Sequence, residues 1–339
     1  MEKRLNRRQF IEAAGVAGVV GLAGCTGNGG GDGEETTTES GGDGEETTTE
    51  SGGGGGSKNL SWHAGGTGGT YYPLSNQFKE IVEGNTDFSL TVQSTGASVE
   101  NVGSLKSGSA DFALIQNDIA YFARNGTGID VFDGNPVENL RGVATLYPET
   151  IHVITLADSG IETITDLEGK IINTGDLGSG TQVNALQILD AVGVSDFTEQ
   201  NAGFSTAADQ LKNGDVDAAF TVGGWPVGAI EEIATTNQIR IVEVAGDARQ
   251  KIKDSASWFA DDTIPAGTYS GIDQDVDTVS VQAMIATHAD VSADTVETIT
   301  AAIFDNADQI SLKSEFISKD TAQDGMSIEL HPGAQAYFG

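Results

Sequence analysis

From residue 58 onward, short β-branched runs and amphipathic helical stretches take turns, with glycine-rich segments at the junctions. Asn59–His63 predicts a strand and Gly65–Thr70 a glycine loop. The stretch that follows sets Leu74, Phe78, Ile81 and Val82 at i, i+4, i+7 and i+8, one face of a helix. Ser89–Gln93 predicts the next strand, Val99, Val102 and Leu105 the next helix, and Phe112–Ile115 a third, wholly apolar strand. Strand, helix, strand, helix, strand implies a parallel sheet with helices on its faces.

The pattern is expected to restart after Tyr147-Pro148. Ile151–Leu156 is β-prone. Gly169–Asn173 leads through Gly178–Thr181 into a helix with Ala185, Ile188, Leu189 and Val192 on one side. Asp217–Val222 and Ile239–Val244 predict further strands, Val279–Thr287 another β-branched run, and Val296, Ile299, Ile303 and Ile310 a terminal helix. The expected organisation is therefore a first lobe over 58–150, a second over 151–280, and a return to the first over 281–339. Two such α/β units leave a cleft between them, and open α/β sheets bind ligands beyond the carboxyl ends of their strands.

The residues before 58 read as an address. Lys3, Arg4, Arg7 and Arg8 precede an apolar run from Ala13 to Gly24. That run is shorter than the about 20 residues needed to span a bilayer, so 1–24 has the form of a secretory leader. Arg7-Arg8-Gln9-Phe10-Ile11 matches the twin-arginine pattern. The single cysteine, Cys25, follows Leu22-Ala23-Gly24 in the manner of a lipoprotein cleavage site, which would make it a lipid-bearing mature N-terminus. With no second cysteine, an intrachain disulfide is excluded and the fold rests on its core. Residues 25–57 contain DGEETTTESGG at 32–42 and again at 43–53, and bury too little apolar surface to offset the entropy of ordering. This acidic tether would span roughly 30 Å as a flexible coil. The expected location is the outer face of the cell membrane, after twin-arginine export.

Seventeen Lys and Arg stand against 50 Asp and Glu, a formal net charge of −33. That sign excludes nucleic acid as a partner. Spread along the chain, it keeps a protein hydrated and dispersed, the pattern of adaptation to very high salt, and it reports on the solvent more than on a ligand. His63, His152, His288 and His331 are scattered without zinc-site spacing, and no GxSxG elbow or Walker A lysine occurs. No catalytic residue, metal or cofactor is assigned, and the chain is not expected to be an enzyme.

An ordered series of segments then carries a resemblance: Gly65–Leu74 (GGTGGTYYPL), Ser94–Asn101 (STGASVEN), Ala110–Phe112 with Gln116, Asp118 and Tyr121, Leu146–Glu149 (LYPE) with His152-Val153, Asp166-Leu167 with Gly169-Lys170, Gly178–Thr181, Ile264–Tyr269 (IPAGTY) and His331–Ala334. From about residue 60 to the C-terminus the chain resembles the TAXI family of TRAP-transporter solute receptors. The resemblance implies a two-lobed periplasmic-binding-protein fold of type II, with two parallel-rich sheets flanking a ligand cleft. It further implies permease subunits driven by an ion gradient, and a solute that is a glutamate-like amino acid or a dicarboxylate. On the same scaffold, a sensory lipoprotein or an enzyme of the thiamine-precursor type stand as alternatives, since fold alone does not fix function.

A carboxylate can be held without arginine, because helix N-termini present unpaired N–H groups and partial positive charge. Gly68, Gly69, Thr70 and Tyr71 lie where the first strand turns into the first helix. Gly178, Ser179, Gly180 and Thr181 do the same in the second lobe. Each loop reads equally as a tight βα turn with a cap. Ser94, Thr95 and Gly96 follow the second strand, and Gln116 and Asp118 the third. Asp118 could accept from an amino group or cap the Ile119–Phe122 segment. Gly223, Gly224 and Trp225 end a second-lobe strand, where Trp225 covers ligand or packs. Tyr71, Tyr72 and Tyr269 are open between wall and core.

Overall fold

A computed structural model describes residues 58–339. The leader, Cys25 and the tether expected over 1–57 lie outside the described residues. One lobe is built from β1 (Lys58–His63), α1 (Tyr71–Asn85), β2 (Phe88–Gln93), α2 (Ser98–Ser107), β3 (Phe112–Gln116) and α3 (Asn117–Asn125). The chain then enters β4 (Leu140–Leu156) and builds a second lobe. Its elements are β5 (Ile171–Asn173), α4 (Gly180–Val192), β6 (Thr198–Gln200), α5 (Phe204–Asn213), β7 (Ala218–Gly223), α6 (Gly228–Thr236), β8 (Ile239–Ile241), α7 (Gly246–Ser255) and β9 (Ala260–Ile264). β10 (Val276–His288) carries it back, and α8 (Ala293–Asp305) and α9 (Pro332–Phe338) complete the first lobe.

The strands follow one path, β2-β1-β3-β10-β4-β7-β5-β6, with β8 on β4 and β9 on β10. Parallel pairs link β1 to β2 and β3, and β5 to β6 and β7. The two long strands are antiparallel to their neighbours and run through both lobes. β10 pairs with β3 over Ala283–Thr287 and with β9 over Val276–Ser280. β4 pairs with β7 over Thr150–Ile154. This is the type II periplasmic-binding-protein architecture, with two crossing strands as its hinge.

The expected break after Tyr147-Pro148 is not a break. β4 continues through it, and the irregularity appears as a register shift between Gln282 and Met284, where Gln282 faces Pro148. Proline removes one ladder donor, which a long strand tolerates at a bulge. The terminal helix also ends earlier than expected. α8 stops at Asp305, and Ile310 follows a short 3₁₀ turn, although it still packs into the core.

Each lobe has an apolar cluster on both faces of its sheet. Ala283 and Ile285 of β10 join the cluster under α1 and α8, whereas Met284 and Ala286 join the one under α2 and α3. This is the period-two alternation of a strand buried on both faces. In the second lobe Ile151 and Val153 point to one cluster and Ile154 to the other. Val183 of α4 packs among first-lobe residues. The Ala229 amide donates to the Gly68 carbonyl at 3.1 Å, so the lobes are closed on each other.

Candidate ligand-binding site

Between the closed lobes lies a chamber with about 60 Å³ open to the centre of a water-sized molecule. One water needs roughly 10–15 Å³ by this measure, so the chamber suits a compact solute. Its wall is made by the starts of four helices: Gly69-Thr70-Tyr71 at α1, Gly96-Ala97-Ser98 at α2, Ser179-Gly180-Thr181 at α4 and Gly203-Phe204 at α5. Two come from each lobe. No side chain caps α1, α2 or α5, whereas the Ser179 hydroxyl accepts from the Gln182 amide at 3.1 Å. Converging helix starts create positive potential from amides alone.

Two glycine positions explain how the lobes meet. Gly178 has φ +77°, a left-handed conformation that lets the chain turn sharply into α4. Gly180 approaches the first lobe so closely that a Cβ there would lie 2.5 Å from Gln116 Cδ and 3.1 Å from Ser98 Oγ. Across the chamber, Ala97 holds φ 66° and ψ −140° without being glycine. Such backbone strain persists only where the surroundings fix it.

Among the described residues, the chamber wall contains no Lys, Arg or His, and two acids: Glu149 and Asp176. Glu149 is 3 % exposed. Its Oε2 accepts from Gln116 Nε2 at 3.1 Å, and its Oε1 from the Tyr147 hydroxyl at 3.3 Å. Burial dominates its chemistry and pushes its pKa up to about 7, against the pull of these donors. Burial and the neighbouring carboxylate also raise Tyr71 and Tyr147 well above the usual phenol range. The Tyr71 hydroxyl lies near Glu149 but has no well-aligned hydrogen-bond partner. Burial raises Asp176 as well.

Of the residues singled out from the sequence, Gly69, Thr70, Tyr71, Thr95, Gly96, Gln116, Ser179, Gly180, Thr181 and Gly223 line the chamber. The others lie behind it. Ser94 donates to the Gly65 carbonyl at 3.0 Å. Gly68 carries the carbonyl that receives Ala229, and the Gly178 amide donates to Gln182 at 2.9 Å. The Gly224 carbonyl accepts from Thr70 Oγ1 at 3.1 Å, an interlobe bond. Trp225 packs under Lys313, whose Nζ is 4.0 Å from the ring centroid and donates to the Trp225 carbonyl. Asp118 neither faces the chamber nor caps α3, whose cap position is Gln116. It instead accepts from Asn184 Nδ2 of the opposite lobe at 2.8 Å.

Glu149, Ala97 and Ser98 stand in the motif series without being assigned to the site, and Asp176, Phe204 and Val222 were not singled out for it at all. Glu149 lies one residue past Pro148, where a strand boundary was expected, and nothing local to it signals that β4 runs on and buries it. Of the ambiguous tyrosines, Tyr269 is core: its hydroxyl accepts from the Val227 amide at 2.9 Å and lies 3.0 Å from His152 Nε2. His152 is fully buried, with its pKa lowered to about 4 by desolvation, so the neutral ring takes the Tyr269 hydroxyl proton as acceptor.

The sequence profile of the NMT1-like family matches residues 63–339. Among solved structures, one from the glutathione import system of Streptococcus mutans, with GshT and the cystine importer TcyBC, is 11 % identical. It covers 80 % of this chain and 100 % of its own, with a TM-score of 0.49. An ancestral arginine-binding protein bound to arginine is 14 % identical, covering 77 % and 96 % at a TM-score of 0.46. The substrate-binding protein of an amino acid ABC transporter is 10 % identical, covering 76 % and 96 % at 0.44. At these identities no ligand or site residue carries over.

Proposed function

The chain belongs to the NMT1-like family, and from that premise we propose that it is a solute receptor that encloses a small zwitterion, a glutamate-like amino acid, between its lobes. The observation that carries this reading is the charge pattern of the chamber. Four helix starts supply diffuse positive potential, one deeply buried acid supplies a negative point, and no basic side chain intervenes. A carboxylate at the helix starts and an ammonium at Glu149 complement both. A dicarboxylate would leave Glu149 facing like charge, and could close the chamber only with that acid protonated.

The motif series from Gly65 to Ala334 supports assignment to the TAXI type, handing solute to ion-driven TRAP permease subunits. The leader and Cys25 support twin-arginine export and lipid anchoring at the outer membrane face. Replacing Cys25 should release the protein from membranes without changing solute affinity; a variant that stays bound would refute the anchor. No Ser, Cys or His of the chamber is paired as nucleophile and base, which favours binding over catalysis. A sensory receptor would share this chamber and differ only in its membrane partner.

The test is thermal unfolding in multimolar salt against L-amino acids and dicarboxylates. A solute bound only to the folded protein stabilises by about 2.7 kcal/mol at a hundredfold excess over Kd. A shift with glutamate or glutamine supports the reading. A shift with dicarboxylates alone would overturn the zwitterion assignment, and conversion of any solute would overturn the receptor.

A further inference from the structure

Asp118 and Asn184 meet across the lobe seam, outside the chamber. Asp118 is 2 % exposed in the first turn of α3, and Asn184 is fully buried in α4. Asn184 Nδ2 donates to Asp118 Oδ2 at 2.8 Å. Both remaining oxygens, Asp118 Oδ1 and Asn184 Oδ1, are buried without a well-aligned donor, although the Asp118 and Ile119 amides lie close enough to the carboxylate to favour its charged form. Two acceptors without a well-aligned donor, on two planar groups already joined by one bond, are short of a single proton. Leaving them unsatisfied costs about 1–3 kcal/mol per group.

We propose that Asp118 and Asn184 form a proton-dependent latch that holds the lobes closed. With the proton on Asp118 Oδ1, the carboxyl O–H donates to Asn184 Oδ1 while Asn184 Nδ2 donates to Asp118 Oδ2. The result is a ring of two hydrogen bonds in which every polar atom of the pair is satisfied. When the proton leaves to solvent, one bond remains and two buried oxygens are left without a well-aligned donor beside a charge. Opening the lobes then returns the carboxylate to water at a helix start, where it is stable.

The surroundings leave the proton as the available counter-charge. The helix start of α3 supplies amides, β3 supplies Gln116, and α4 supplies Asn184. The turn before β9 supplies Ser257 and Trp258, and the C-terminal return supplies Ser327. No charged group is among the causes of the Asp118 shift, and the neighbouring acid, Glu149 of β4, is itself pushed up in part by Asp118. Burial accordingly pushes Asp118 from 3.8 up to about 6. An open cleft lined by Asn117, Tyr121, Ser257 and Trp258 reaches Asp118 from outside and gives the proton a route that bypasses the chamber. The nearby Gln116–Glu149 pair is different, because its second carboxyl oxygen already receives Tyr147.

The sign follows from the raised pKa. The closed form holds the proton more tightly than an open form near 3.8, so closure is strongest below pH 4 and its advantage is lost by about pH 6. The ceiling is roughly 100-fold in the closure equilibrium, two pKa units. The experiment reads an intramolecular fluorophore distance between lobes from pH 4 to 8, in a Glu149→Gln background that removes the second acid, alongside the Asp118 carboxyl titration by NMR. The expected result is opening as pH rises, with Asp118 titrating near 6 and returning toward ordinary values in Asn184→Leu. Asp118→Asn, which replaces the shared proton with a permanent amide donor, should stay closed at pH 8, and Asp118→Ala should open throughout. A pH-independent distance, an Asp118 titration near or below 4, or an Asp118→Asn variant as open as Asp118→Ala would each overturn the latch. None of these readouts depends on which solute fills the chamber, so failure here leaves the receptor reading to its own test.

Discussion

Alanine at Gly180 adds one methyl group at a point where the two lobes touch only when closed. Its Cβ would lie 2.5 Å from Gln116 Cδ and 3.1 Å from Ser98 Oγ, both on the opposite lobe, where ordinary contact begins near 3.4 Å. Gln116 Oε1 would lie closer to that Cβ than Cδ does, so closure requires Gln116 to retreat by more than about 0.9 Å, or the seam to stay ajar. Retreat breaks the Gln116–Glu149 bond in the chamber wall and leaves a buried acid short of a donor, which costs about 1–3 kcal/mol. Solute affinity should fall roughly 5- to 150-fold. The three atoms nearest the methyl all belong to the first lobe, so opening relieves the clash, and alanine is a better helix former than glycine by up to about 1 kcal/mol; Tm should therefore hold or rise. Gly84→Ala, on α1 with no atom within 4 Å of the added Cβ, is the matched control. Calorimetric titration with the solute found by thermal shift, paired with melting curves, reads both quantities. Unchanged affinity would show that Gln116 yields freely and that the seam is not tight. Parallel loss of affinity and Tm would show damage to the fold instead.

Glu149 should impose a pH dependence on solute binding. An ammonium stabilises the ionised carboxylate, so affinity is complete above the unliganded pKa of about 7 and weakens up to tenfold per pH unit below it. Glu149→Gln should flatten that profile and lower affinity at pH 8 by roughly 10- to 150-fold, the worth of about 1.5–3 kcal/mol for a charged hydrogen bond; affinity that rises on acidification would point to an anion facing Glu149. Thr70→Val removes the interlobe bond to the Gly224 carbonyl and should weaken binding about fivefold, about 1 kcal/mol, chiefly by faster release in stopped-flow. Tyr269→Phe leaves the Val227 amide and His152 Nε2 without their shared partner and should lower stability by about 1–3 kcal/mol in urea unfolding; a neutral result would show that the buried histidine finds another donor.

Much of the fold was legible because it is local. The i, i+4, i+7 spacing from Leu74 to Val82 is α1, and the glycine loops at Gly68 and Gly178 do precede helices. What escaped is what depends on distant partners. The sequence marks Pro148 as a place to stop, yet β10 and β7 hold β4 extended on either side of it. Glu149 is buried by that continuation and so could not be picked from its neighbours. Asp118 reads as an ordinary first-turn acid of a helix, and only the arrival of α4 from the other lobe gives it Asn184. Trp225, the conspicuous aromatic residue of its loop, packs under a lysine 88 positions later in the chain.

The antiparallel hinge also makes the second lobe a guest in the first. Thr150 and Ser280, where the chain leaves and returns, are directly paired across β4 and β10, which places their Cα atoms roughly 4.5–5.5 Å apart. A segment whose ends lie that close can be lifted out and its host resealed with a two-residue turn. The scaffold is thus modular: a second lobe with a different lining could be spliced between the same two strands, changing what the chamber accepts while every first-lobe helix start stays where it is.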